Sequence, residues 1–135
     1  MSKDKNVKQN LFMETKKLKT LILGASTNPN RYAYLALNSL LKNDYLVEGV
    51  GAKQAEVHGI EIHKEQKRFS AIDTVTLYLS AKNQKAYYDY LLQLKPRRVI
   101  FNPGTQNPEL ENILEESNIE VVHDCTLLML STQQY

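Results

Sequence analysis

The chain has 135 residues, a formal net charge of +2 and one cysteine, Cys125. This length supports one domain with a real core, but not a catalytic domain beside a separate substrate domain. One cysteine excludes an internal disulfide framework, and no run approaches the roughly 18 apolar residues of a membrane span. We therefore expect a cytoplasmic protein that does not associate with membranes.

The basic excess is concentrated near the start of the chain. Six lysines lie within residues 1–20, opposed by Asp4 and Glu14. Because this segment lacks arginine, it does not indicate nucleic-acid binding. We divide the sequence into a basic N-terminal extension, residues 1–18, and a single domain, residues 19–135.

The predicted elements begin with a buried strand. Residues 20–23 are β-branched or aliphatic without a polar interruption, as in a parallel strand covered on both faces, and Gly24 ends the run. Apolar residues then recur at helical spacing over residues 30–42, and a second strand is predicted at 46–50. The crossover of such a strand-helix-strand unit is almost always right-handed, so the two strands should be parallel.

The alternation of strands and helices continues to residue 131. Further strands are predicted at 60–62, as a short edge strand, and at 74–79, 98–101 and 119–122. Helices are predicted at 87–94, after Asn107 as N-cap with Pro108 at the first position, and at 126–131. This pattern predicts an α/β fold, a single Rossmann-like open sheet of about five mainly parallel strands with helices on both faces. Ligands bind such sheets at the carboxyl ends of the strands, near the point where the strand order reverses.

The loop after the first strand has the composition of a phosphate-binding turn. Gly24 permits a tight turn and lets a ligand approach the backbone, while Ser26, Thr27 and Asn28 offer hydrogen-bond donors. The N-terminus of the helix that follows favours an anion. An ordinary strand-to-helix turn has a similar composition, so this loop alone leaves both interpretations open.

Two features of a nicotinamide-dinucleotide site are missing. The loop has one glycine instead of the G-x-G-x-x-G pattern, and Lys53 follows the second strand where a carboxylate would hold the ribose hydroxyls. A cation in this position indicates a phosphate near the ribose. The sequence has no Walker loop, and His58, His63 and His123 are too scattered for a metal cluster.

Several stretches resemble those of one known family. They are Gly24-Ala25-Ser26 with Asn28-Pro29 and Arg31, then Lys53, then residues 101–105 with Asn107-Pro108, and finally Asp124-Cys125-Thr126. The family is that of the stand-alone CoA-binding domain proteins, which are similar to the N-terminal domain of the succinyl-CoA synthetase alpha subunit. The resemblance covers about residues 19–135.

This resemblance implies that the ligand is coenzyme A or an acyl-CoA. It assigns Gly24, Ala25, Ser26, Thr27, Asn28 and Arg31 to the CoA diphosphate, Lys53 to the 3′-phosphoadenosine end, and Leu79, Ser80, Asn102, Pro103, Gly104 and Asn107 to the pantetheine arm. The phosphohistidine domain of the synthetase has no counterpart in this sequence, so we expect a binding role rather than catalysis.

Three hypotheses follow for the function. The first is a module that binds CoA or acyl-CoA as a carrier, sensor or regulator, and the second is a small enzyme that uses another nucleotide such as NAD. The third is a protein-interaction domain that keeps the fold without the ligand. We expect a small-molecule nucleotide partner and leave any protein partner open. Cys125 is either a thiol that faces the ligand crevice or a small hydrophobe packed beside the last helix.

Overall fold

The fold is built on one seven-stranded sheet, in a computed structural model that describes residues 18–135. Apart from Leu18, the predicted basic extension lies outside these residues. The strands are β1 (Lys19–Ala25), β2 (Leu46–Gly51), β3 (Ala55–Val57), β4 (Ile60–His63), β5 (Ile72–Leu77), β6 (Arg98–Phe101) and β7 (Glu120–His123). The helices are α1 (Tyr32–Lys42), α2 (Ala81–Gln84), α3 (Tyr88–Leu94), α4 (Pro108–Glu116) and α5 (Thr126–Ser131), and a 3-10 turn, Lys85–Tyr87, joins α2 to α3.

The strand order is β3-β4-β2-β1-β5-β6-β7. Within residues 18–135 every neighbouring pair is parallel except β3 and β4, which are antiparallel. The predicted α/β class is confirmed, as a Rossmann-like, mainly parallel open sheet. It has seven strands instead of about five.

The strand that the sequence did not predict, β3, belongs to a short hairpin in the polar segment after β2. The predicted edge strand at 60–62 is present as β4, but it pairs with β2, and the three-residue β3 takes the edge position. His58 and Gly59 form the turn with φ angles of 50° and 81°, as a two-residue type I′ turn requires. Strands of three and four residues are too short to produce a periodic hydrophobic pattern, which is why the sequence did not predict β3.

Helices cover both faces of the sheet because successive side chains of β1 point to opposite faces. On one face lie Ile22, Leu37, Leu40, Val47 and Leu130, and on the other lie Leu21, Leu23, Leu91, Phe101 and Leu110. Leu21, Ile22 and Leu23 are fully buried. Burial of each such side chain contributes about 1.5–3 kcal/mol to the stability of the fold. Because these three side chains are divided between the two faces, β1 belongs to both core layers.

The amino ends of the central strands carry a buried arginine. Arg98 of β6 is 8% exposed, and its Nε atom donates to Thr74 Oγ1 at 2.9 Å. The Tyr135 ring covers the guanidinium, with its centroid 4.6 Å from Cζ, and the Tyr135 hydroxyl is hydrogen-bonded to Thr20. This packing covers Arg98 at the amino ends of the strands, whereas the cleft described below lies at their carboxyl ends.

The carboxyl end of β1 is where the strand order reverses, since β2 and β5 flank β1 on its two sides. β5 ends at Leu77 instead of residue 79, so Tyr78 and Leu79 leave the sheet directly beside Gly24. Gly24 has φ of +98°, and a Cβ on it would lie 3.0 Å from the Tyr78 carbonyl. Gly51 is closer still to its neighbour, because a Cβ there would lie 2.3 Å from the Ala25 carbonyl oxygen.

We expect Gly51→Ala to lower the free energy of unfolding by about 3 kcal/mol, because the new methyl group can be accommodated only if backbone moves. Gly104→Ala is the control. A Cβ at Gly104 meets nothing within 4 Å, so only its φ of +91° opposes the change, at about 1–2 kcal/mol. Urea denaturation compares the two variants, and a smaller loss for Gly51→Ala than for Gly104→Ala would contradict the close approach.

Candidate ligand-binding cleft

A cleft of about 580 Å³ opens at the carboxyl ends of β1, β2 and β5. This volume falls in the roughly 300–1,000 Å³ range of small-molecule sites, and the position is the one at which open α/β sheets bind ligands. Of the predicted site residues, those that line the cleft are Gly24, Ala25, Ser26, Thr27, Asn28, Arg31, Lys53, Leu79 and Ser80. The cleft is also lined by Ala52, Ile62, Tyr78 and Asn83, which the sequence did not predict.

The loop after β1 is a series of tight turns. Asn28 N–H donates to Ser26 Oγ at 3.0 Å, and Asn30 N–H donates to Asn28 Oδ1 at 3.0 Å. These bonds delay the start of α1 from the predicted residue 30 to Tyr32. Arg31 is the N-cap without a side-chain cap, and the first turn of α1 contains no acidic residue. The positive end of the helix dipole is therefore not compensated within α1.

The charged residues of the cleft are cations. Arg31 and Lys53 both line it and are exposed. Within residues 18–135 neither has a carboxylate oxygen within 4.0 Å, and no Asp or Glu belongs to the cleft lining. The cleft therefore has the electrostatic character of an anion site.

One wall of the cleft is apolar and contains a buried hydroxyl. Tyr78 and Leu79 are half-buried, and Ile62 is buried. The Tyr78 hydroxyl lies near the Thr76 and Thr126 hydroxyls but completes a hydrogen bond with no described residue. Burial raises the pKa of Tyr78 to about 12, so the hydroxyl stays protonated at neutral pH.

The loop after β6 supports the fold from within. Asn102 Nδ2 donates to Thr76 Oγ1 at 2.7 Å and to the Leu77 carbonyl at 2.9 Å, while its Oδ1 accepts from Thr126 N–H at 2.9 Å. Asn102 is 3% exposed, and it is not among the residues that line the cleft. Its side chain therefore ties the ends of β5 and β6 to the start of α5.

Asn107, later in the same loop, also joins separate elements of the fold through its side chain. It is the predicted N-cap of α4, accepting from Leu110 N–H at 3.3 Å, with Pro108 in the first turn. Its Nδ2 donates to Gln84 Oε1 and to the Tyr88 hydroxyl, both at 2.9 Å. Asn107 is buried, whereas Pro103 and Gly104 are exposed, and none of the three lines the cleft. Their contacts with a ligand stay a prediction of the resemblance.

The remaining candidate residues lie apart from the cleft lining. Cys125 is half-buried at the N-cap of α5. His123 Nε2 lies 2.8 Å from Glu111 Oε1. Residues 18–135 contain no group of three His, Cys, Asp or Glu residues that could hold a metal ion. In the same part of the chain, no helix has the length and apolar character needed to cross a bilayer.

The fold and cleft define a Rossmann-like α/β domain with a cleft at the switch point of its sheet, lined by Arg31 and Lys53. The sequence pattern of the family described as "CoA binding domain" matches residues 19–131, and the chain belongs to this family.

Solved structures give the same fold. The chain is similar to an uncharacterized protein at 51% identity, with a TM-score of 0.86 over 88% of this chain and 98% of that one. It is also similar to a Thermus thermophilus protein, at 22% identity and a TM-score of 0.80 over 95% and 98% of the two chains. A hypothetical protein from Pyrococcus horikoshii OT3 gives 23% identity and a TM-score of 0.79 over 94% and 90%. A search of curated proteins finds no match.

We expect Tyr78→Phe to raise the free energy of unfolding of the ligand-free protein by about 1 kcal/mol, because it removes a buried hydroxyl that lacks a partner. The matched control is Tyr90→Phe. The Tyr90 hydroxyl donates to the Lys67 carbonyl, so its removal should cost about 1 kcal/mol. Thermal and urea unfolding measure both changes, and destabilisation by Tyr78→Phe would show that its hydroxyl has a partner.

Proposed function

We propose that this protein binds coenzyme A or an acyl-CoA and serves as a carrier, sensor or regulatory module. The observation that carries the proposal is the pair of cations, Arg31 and Lys53, in a cleft at the switch point of the sheet whose described lining residues include no carboxylate. CoA has a diphosphate and a separate 3′-phosphate, and two separate cations suit two separate anionic groups. Membership of the CoA-binding domain family supports the same ligand.

The cleft residues suit the parts of CoA in order. The loop that begins at Gly24 leads to Arg31 at the start of α1, where no side chain caps the helix. Because Gly24 has no Cβ, the backbone there stays open to a ligand, and the free helix start suits the CoA diphosphate. Lys53, after β2, suits the 3′-phosphate. Tyr78 and Leu79 provide the apolar surface that a pantetheine arm requires. The proposed role is binding, without a chemical step in the cleft. We place the protein in the cytoplasm, because a single cysteine is compatible with a reducing compartment.

NAD is the ligand that this site should reject. In dinucleotide sites a carboxylate at the end of the second strand accepts hydrogen bonds from the ribose hydroxyls. β2 ends at Gly51 here and is followed by Ala52 and Lys53, and no Asp or Glu from residues 18–135 lines the cleft. A non-phosphorylated ribose therefore lacks its acceptor, whereas a phosphorylated one gains a cation.

The first test compares the two ligands by thermal shift. At 100 times its dissociation constant a ligand stabilises the folded state by about 2.7 kcal/mol, enough to raise the melting temperature by several degrees. We expect CoA to raise the melting temperature and NAD at the same concentration to raise it much less. An equal or larger shift with NAD would overturn the proposal.

The second test separates the two cations with CoA and dephospho-CoA, which share the diphosphate and differ in the 3′-phosphate. A partly desolvated phosphate contact contributes about 1.5–3 kcal/mol, or roughly tenfold or more in affinity. The wild type should prefer CoA by that factor. Lys53→Ala should bind both ligands equally, and Arg31→Ala should bind both more weakly while keeping the preference.

Lys42→Ala is the control for both variants, because Lys42 is an exposed lysine at the end of α1 and is not among the residues that line the cleft. It should leave both affinities unchanged. The wild-type preference should shrink as salt is raised, since dissolved ions still screen a contact that is only partly desolvated. A wild type without a preference in calorimetry would mean that Lys53 is ordinary surface charge.

A further inference from the structure

Gln84 is a fully buried polar residue, with 0% exposure, at the end of the four-residue helix α2. Its Nε2 atom donates to the Leu79 carbonyl at 2.8 Å and to the Thr105 carbonyl at 2.7 Å. Its Oε1 atom accepts from Asn107 Nδ2 at 2.9 Å. The carboxamide thus joins three points of the chain, and both of its N–H groups are used.

These three points belong to different loops. Leu79 belongs to the segment of residues 78–83, called the 78–83 wall from here on, of which Tyr78, Leu79, Ser80 and Asn83 line the cleft. Thr105 and Asn107 belong to the loop after β6, which does not contribute to the cleft lining. Among residues 18–135, Gln84 is the side chain that connects the wall to that loop by direct hydrogen bonds.

The loop after β6 is itself anchored. The Thr105 hydroxyl donates to the Asn102 carbonyl at 2.7 Å, and Asn107 N–H donates to a Glu111 carboxylate oxygen at 2.9 Å. With the Asn107 cap on α4 and the Asn102 bonds to β5, this loop is a fixed base. A bond from Gln84 to this base therefore fixes the carbonyl of Leu79 as well.

We infer that Gln84 is a positioning residue for the ligand, which holds the 78–83 wall against the loop after β6 and so sets the affinity for the pantetheine arm. This inference rests on the proposed function, because the pantetheine arm is the part of CoA that suits this wall. It gives the loop after β6 a role in binding that needs no contact with the ligand. The methionine isostere would leave the Leu79 and Thr105 carbonyls without this donor and would remove one of the two acceptors of Asn107 Nδ2, and the wall would then move away from its base.

The experiment measures the affinities of Gln84→Met for CoA and for adenosine 3′,5′-bisphosphate, which lacks the pantetheine arm. We expect the CoA affinity to fall by about tenfold, as for the loss of a buried hydrogen-bonded contact, while the bisphosphate affinity changes by less than about twofold. Asn107→Ser is the milder second variant. It keeps an N-cap oxygen but removes the donor to Gln84, so it should shift the affinities in the same direction by a smaller factor.

Tyr90→Phe is the control. Tyr90 is 2% exposed and its hydroxyl bonds to Lys67, outside the cleft, so this variant should lose stability without losing affinity for either ligand. Equal losses for the two ligands, or no loss for CoA, in Gln84→Met and Asn107→Ser would overturn the inference.

Hydrogen exchange of the ligand-free protein provides a readout that does not depend on CoA. The amide of Asn83, which donates to the Ser80 carbonyl at 2.9 Å, should exchange faster in Gln84→Met than in Tyr90→Phe. If the wild type binds no CoA, the proposed function fails, and faster exchange would still support the link between wall and loop. Unchanged exchange in Gln84→Met would overturn that link as well.

Discussion

The cleft depends on how closely the backbone packs at the end of β1. β1 pairs with β2 and β5, and its register with β2 shifts between Leu23 and Ala25, so that Gly24 is the additional residue of a bulge. The positive φ of Gly24 turns the chain at this point, and Ala25 still pairs with Gly51. Any side chain on Gly51 would meet the Ala25 carbonyl. The bulge and the two glycines therefore bring three strand ends together and let the loops that follow diverge around a cavity.

Buried amides give the loops around the cleft a single arrangement. Gln84, Asn102 and Asn107 are all buried, and each has its side-chain amide bonded to at least two groups. A buried polar group without a partner is costly, so alternative loop conformations that break these bonds are disfavoured. The exposed cations Arg31 and Lys53 lie on the other side of the cleft, in the loops after β1 and β2. The bulge at Gly24 and the close packing of Gly51 against Ala25 fix the strand ends from which these two loops begin.

The sequence predicted most of the fold because its signals are local. The apolar run of β1 and the Asn107-Pro108 start of α4 each appear in the structure where they were expected, and α1 ends at the predicted Lys42. β3 was missed because three residues carry no period, and the end of β5 was placed two residues late because Tyr78 and Leu79 have the composition of a strand.

The cleft was predicted in part, and the reason is physical. Glycine, small polar residues and cations in loops after strands indicate a phosphate site wherever the strands are adjacent. Asn102 and Asn107 show the limit of this argument, since composition alone does not distinguish a loop asparagine that faces a ligand from one that bonds within the fold. Both bond within the fold here, and their contacts with a ligand stay a prediction. Ile62 and Asn83 could not be found by motif, because each reaches the cleft only through the pairing of β4 with β2 or the placement of α2 beside β5.

The hairpin of β3 and β4 forms one edge of the sheet, and this edge bears on whether two molecules can pair through their sheets. A sheet that ended at a long, flat parallel strand would present a row of unpaired N–H and C=O groups to other chains. The hairpin replaces that border with the three residues of β3, whose central residue is the exposed Glu56. A second molecule finds few backbone groups to pair with there, and a negative charge beside them. The hairpin therefore disfavours sheet-to-sheet aggregation at this border.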